Sequence, residues 1–158
     1  RPKSSAASDV YKRQKLTRNK NLYLNLERND EFSDRLLFLM FHFALFLKKF
    51  KSEINKKKSQ ELFDFFVRQI ELSIREIGYG DVSVNKKMKE YVNMFYAILD
   101  KIEVTDMSID ENIANFFRKI FNLDKNIKFY ANYYKKYNEY LSNNTLNNFT
   151  KDIINHNF

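Results

Sequence analysis

The stretch Ile70-Glu71-Leu72-Ser73-Ile74-Arg75-Glu76-Ile77-Gly78-Tyr79-Gly80-Asp81-Val82-Ser83-Val84 carries both glycines of a 158-residue chain. Upstream, Leu62, Phe66, Ile70, Ile74 and Ile77 recur every three to four residues, the period of a helix with one apolar face. Downstream, Val84, Met88, Val92, Phe95, Leu99 and Ile102 do the same. The spacing predicts helices over 59–77 and 84–103, the second capped by Ser83, joined by a tight corner. Gly78 stands where a helix can end in the left-handed conformation, in which a Cβ costs about 1 kcal/mol, and Gly80 allows a second sharp turn. Asp81 is placed to cap the next helix or to pair with Arg75, and Glu71 lies four residues before Arg75, the better orientation for a helical ion pair.

The rest of the chain reads the same way. Two glycines and one proline are too few for a β-rich fold built on tight hairpins, so the expected class is all-α, a single compact domain of about five or six helices. A first helix is expected over 34–50, with Ser33 as N-cap and Lys48, Lys49 and Lys51 at or just past its last turn, where cations suit the helix dipole. Its apolar run Leu36 to Leu47 is too short for a membrane span, which needs about 20 residues, and reads as a buried core helix. Ser108-Ile109-Asp110-Glu111 has the spacing of a capping box and opens a helix to 122 with Ile109, Ile113, Phe116 or Phe117, and Ile120 on its buried stripe. A further helix over 127–141 carries Tyr130, Tyr133, Tyr134, Tyr137 and Leu141, and a short last one holds Leu146, Phe149 and Ile153.

Residues 1–14 differ in composition from the Asn/Lys/Phe/Ile-rich remainder and begin without Met. They resemble a translated sequencing-adapter read-through, so the native N-terminus is expected to be missing and residues 15–158 to form the domain. The net charge of +8 is concentrated early: residues 1–58 hold 15 Lys/Arg against 6 Asp/Glu. Without the first fourteen residues it falls to +5. A basic half is compatible with RNA, a ribosome or anionic lipid without selecting among them. The candidate basic surface is Lys48, Lys49, Lys51, Lys56, Lys57 and Lys58, most simply a solvated helix end and linker. At a membrane each lysine adds about 1 kcal/mol.

No catalytic or cofactor chemistry is expected. The chain has no cysteine and two histidines, His42 and His156, too few for a Cys/His zinc site, so no metal is expected. Gly78-Tyr79-Gly80 lacks the preceding strand and third glycine of a dinucleotide fingerprint and the Gly-Lys-Ser/Thr of a P-loop. No Ser/His/Asp arrangement or paired carboxylates stand out, and no leader for secretion is visible. His42 reads as a hydrogen-bonded core histidine, and the tyrosines of 130–140 as a packing face with hydroxyls at its edge rather than a base-stacking platform.

Residues 70–84, with Lys86-Lys87-Met88-Lys89 and Phe95-Tyr96, resemble the signature of the ubiquinol-cytochrome c chaperone family. The resemblance extends upstream to the helix with His42 and downstream to Asn115-Phe116-Phe117-Arg118-Lys119-Ile120-Phe121, about residues 22–142. Arg75, Glu76, Gly78, Gly80, Asp81 and Val84 match its pattern. Glu71 stands where an Asp is usual, and Ala97-Ile98 where Gly-Arg often follows the Phe-Tyr pair, so a role carried by that Gly-Arg has no counterpart here. The resemblance implies a helical, non-enzymatic assembly factor for respiratory complex III without cofactor, acting on newly made cytochrome b with a small partner protein near a ribosome. It implies a cytoplasmic site, peripheral at the inner membrane, and a mitochondrial one in eukaryotic relatives. Arg75, Glu76, Gly78, Tyr79, Gly80, Asp81, Val84, Phe95 and Tyr96 are the candidate partner-binding residues, and a groove beside the corner is the expected place for the client. A basic helical RNA- or ribosome-binding module is the alternative, and an enzyme of unfamiliar type comes third.

Overall fold

The computed structural model describes residues 19–26 and 32–152, so the expectations for residues 1–14, Ile153 and His156 lie outside the described residues. In chain order the helices are α1 (Lys20–Leu24), α2 (Phe32–Phe50), α3 (Lys56–Glu76), α4 (Asp81–Val104), α5 (Asp110–Phe121), α6 (Ile127–Asn143) and α7 (Leu146–Asp152), with no strand among the described residues. The protein is all-α, as composition and period require. Short α1 is the element that the periodic reading passes over, because five residues are too few to display a period.

α2 is the central helix. Phe38, Met40, Phe41 and Ala44 are fully buried, and Leu36, Leu37 and Leu45 nearly so, which is why its apolar residues run round the whole cylinder. It packs against α4 on one side and α6 on another; α3 lies against α4, and α5 against α6. Aromatic rings fill the seams. The Phe43 ring stacks 4.2 Å from that of Phe66 on α3 and 5.6 Å from Phe95 on α4, while Phe41 meets Phe116, Phe117 and Phe121 of α5.

Several local expectations change. α4 starts at Asp81, with Gly80 rather than Ser83 as its N-cap, and the first turn gains an acidic residue where the helix dipole favours one. The capping box does not form. Asp106 takes both the backbone N–H and the hydroxyl of Ser108, so α5 is entered from Ile109 without a side-chain cap. Ile109 is consequently half exposed instead of on the buried stripe, and Ile77, one residue past the end of α3, is exposed as well. Ser33 lies inside α2 rather than before it. The linker is shorter than expected: Asn55 caps α3 by accepting the Lys58 N–H, which places Lys56, Lys57 and Lys58 in the helix's first turn.

Among the described residues, positive φ outside Gly78 is taken by two asparagines. Asn122 (φ 50°) ends α5, and Asn126 (φ 57°) begins α6. Asn tolerates this region better than other residues with a Cβ, so the α5–α6 connection needs no glycine.

Candidate functional site

Three places in the fold carry polar groups worth reading chemically: the interior around His42, the corner between α3 and α4, and the cleft at the opposite end of that helix pair.

His42 is buried and its ring is held at both nitrogens. Nδ1 lies 2.6 Å from the Phe38 carbonyl, one turn back on α2, and Nε2 lies 2.6 Å from the Tyr133 hydroxyl on α6. A carbonyl can only accept, so Nδ1 carries the proton and Tyr133 donates to Nε2. Burial lowers the imidazole pKa to about 4, against the smaller opposing effect of the Phe38 carbonyl, so the ring is neutral at physiological pH. Burial also pushes the Tyr133 and Tyr137 hydroxyls up, keeping them as protonated donors. Tyr137 donates to the His42 carbonyl (3.4 Å), and Tyr130 to the Leu22 carbonyl of α1 (2.7 Å). The tyrosine face therefore packs as expected, but these three hydroxyls sit inside the core, not at its edge. The arrangement ties α6 to α1 and α2. A neutral histidine saturated by two partners has a structural role.

At the corner, Gly78 has φ +100°, which only glycine adopts without strain. Gly80 does not share this property: its φ of −71° and ψ of 163° are ordinary extended backbone, and a Cβ there would meet nothing within 4 Å. Its expected second sharp turn is absent, and the chain enters α4 directly. Arg75 binds both neighbouring acids, Nη1 to Asp81 at 2.5 Å and Nε to Glu71 at 3.0 Å, and these carboxylates, Asp81 first, hold its guanidinium above the usual range. Asp81 thus pairs instead of capping. The motif residues divide by burial. Val84 and Phe95 are core, whereas Glu76, Tyr79 and Tyr96 are exposed.

The cleft lies about 20 Å from this corner, counted along α3 at 1.5 Å per residue. It is an open trough of about 670 Å³. One wall is the start of α3, with Lys56, Ser59, Gln60 and Phe63; the other is the end of α4, with Tyr96, Leu99, Asp100 and Glu103. Each set is spaced i, i+3, i+4, i+7, the repeat that places four residues on one helix face. Leu47, Ile54 and Ile102 form the apolar base, and Lys48 and Lys51 close the end. Across the trough the Phe63 and Tyr96 rings come within 5.8 Å. Lys48 donates to the Ile102 carbonyl at 2.8 Å, and Lys51 pairs loosely with Glu103 at 3.5 Å between two exposed side chains.

The sequence-derived candidates therefore distribute unevenly. Tyr96 comes together with Lys48, Lys51 and Lys56 on the trough, while Lys49, Lys57 and Lys58 are exposed beside it and Arg75 through Asp81 stay at the far end. This cavity lies at the other end of the helix pair from the corner beside which a groove was expected. Its walls were present in the sequence as two four-residue stripes, on sides of α3 and α4 that the core-seeking reading leaves aside. Among the described residues no cluster of three or more His, Cys, Asp or Glu is placed to hold a metal ion, and no helix is long and apolar enough to cross a membrane.

Fold and surface together define an all-helical protein with a hydrogen-bonded histidine in its interior and an open trough with an apolar base between two antiparallel helices. The ubiquinol-cytochrome C chaperone family model matches residues 25–121, more than half of the chain, and the chain belongs to that family, with the role in complex III assembly that membership carries. No curated protein and no solved structure matches it. The matched stretch runs from the turn after α1 to the end of α5.

Proposed function

We propose that this chain is a non-enzymatic assembly chaperone for ubiquinol-cytochrome c reductase that holds newly made cytochrome b in the trough between α3 and α4. One observation carries the reading: every residue that lines the trough, from Leu47 to Glu103, falls inside the family-matched stretch 25–121. An open apolar base with half-exposed Tyr96 at its lip suits reversible contact with a polypeptide. The binding domain on this reading is the helical unit of residues 15–158, acting at the inner membrane surface with a small partner protein. Lysines from two elements do converge here, the arrangement an RNA-binding surface needs, yet they share the trough with Asp100 and Glu103, which would repel phosphates.

The test is genetic and biochemical. Affinity purification of the tagged chain should retain cytochrome b, and deletion of the gene should lower assembled complex III while cytochrome b mRNA persists. Normal complex III in the deletion strain would overturn the proposal. Retention of ribosomal RNA that falls steeply with salt, without cytochrome b, would favour a nucleic-acid role instead.

A further inference from the structure

The charges on the trough walls describe what fits between them. On the α3 wall, Lys56 has no acidic partner among the described residues, and on the α4 wall Asp100 likewise has no cation. Lys51 and Glu103 repeat the same polarity, joined by a pair that both solvent exposure and length make easy to displace. The α3 wall thus carries one cation, with Lys51 at the end beside it, and the α4 wall carries two acids, with an apolar base between.

The length of the trough is set by its stripes. Four residues at i, i+3, i+4, i+7 on a helix span about 10 Å, two turns. A surface made of two parallel helical stripes with a valley between them receives a third helix through knobs at the same spacing.

We infer that the trough binds a two-turn amphipathic helix of a polypeptide partner, whose apolar stripe seats on Leu47, Ile54, Phe63 and Leu99 and whose flanks carry an acid facing Lys56 and a base facing Asp100. This rests on reading the trough as the client site, and it specifies the segment held: a water-facing amphipathic helix, not a membrane span, because a span of about 20 apolar residues would leave both charged walls unanswered.

The experiment uses the full chain and fluorescently labelled helical peptides with one apolar stripe and three flank patterns: Glu on one side and Lys on the other, Glu on both, and Lys on both. Wild type should bind the mixed peptide about five-fold more tightly than either uniform one at low salt, with the preference fading at high salt. Lys56→Glu makes both walls acidic and should shift the preference to the Lys-flanked peptide. Asp100→Lys should shift it to the Glu-flanked peptide, and the double exchange should restore the mixed one. Lys56→Glu is expected to fold at least as well as wild type, since it places an acid in a helix's first turn, and thermal unfolding checks this.

Equal affinity for the three peptides, or a ranking indifferent to Lys56→Glu, overturns the inference. So does binding to anionic vesicles that Lys56→Glu abolishes while no peptide binds. The functional reading is separable through Leu99→Glu, which places a charge in the trough and is scored only where thermal unfolding shows the variant folded, because Leu99 also packs against the core. If that variant lowers complex III while the peptide ranking ignores charge, the guest chemistry falls and the site stands. Peptide rankings that follow the walls in a protein whose Leu99→Glu variant assembles normal complex III leave the guest chemistry standing and remove the client site.

Discussion

The interior histidine gives the sharpest stability prediction. His42 is neutral in the folded protein because burial brings its pKa to about 4, whereas the same ring in the unfolded chain has its ordinary value of 6.5. Between those values the unfolded chain binds a proton that the folded protein refuses. Stability from this group is therefore complete above about pH 6.5 and is lost as pH falls toward about 4. A gap of about 2.5 units corresponds to a ceiling of about 3 kcal/mol, of which about 2 kcal/mol should already be gone at pH 5. Geometry accounts for the refusal: protonating Nε2 would turn it into a donor aimed at the donating hydroxyl of Tyr133, with the Phe38 carbonyl and Tyr137 enclosing the rest of the ring. Urea denaturation followed by helical circular dichroism at about pH 7.5 and about pH 5 compares wild type with His42→Gln, which keeps hydrogen-bonding capacity but cannot titrate. Wild type should lose about 2 kcal/mol more than the variant over that interval, which lies above most carboxylate titrations. Equal losses would show that the ring protonates freely in the folded state, contrary to its enclosure.

The two corner glycines should behave differently. Gly78→Ala is expected to destabilise by about 1–2 kcal/mol through its positive φ alone, since no atom lies within 4 Å of the added Cβ, while Gly80→Ser should fall within about 0.5 kcal/mol of wild type or improve on it as an N-cap. Matching changes in unfolding free energy for both would refute the assignment. Tyr130→Phe removes the bond to the Leu22 carbonyl and should speed amide hydrogen exchange across residues 20–26 before it affects α3 or α4. Uniform acceleration throughout the chain would mean that the hydroxyl supports the whole core and not the docking of α1.

Long periodic segments were legible in the sequence because burial enforces them. The stripe Phe66, Ile70 and Ile74 and the stripe Val84, Phe95 and Ile102 are both core, and helix ends moved by only a few residues. What failed was local polar competition. Ser108 had a carboxylate two residues before it as well as one three residues after, and Asp106 won. Gly80 looked like Gly78 in one dimension, but only one of them needs a positive φ. The trough was half legible: Tyr96 and the lysines stood among the candidate residues, and the i, i+3, i+4, i+7 spacing of Lys56, Ser59, Gln60 and Phe63 was there to be counted. That α3 and α4 align those faces into one valley depends on their antiparallel packing, which a helical period does not encode.

The three tyrosines that reach from α6 into the core have a consequence for how the molecule is divided. α6 begins at Ile127, six residues beyond the end of the family-matched stretch, yet Tyr130, Tyr133 and Tyr137 are nearly or fully buried and bond to Leu22, to the His42 ring and to the His42 main chain. A fragment cut at residue 121 would keep the trough and the recognisable signature but open the flank of α2, uncovering Phe38 and Phe41 and leaving a buried imidazole acceptor without its donor. The family-matched portion is thus smaller than the packed core, and the clasp that closes the core lies beyond residue 121.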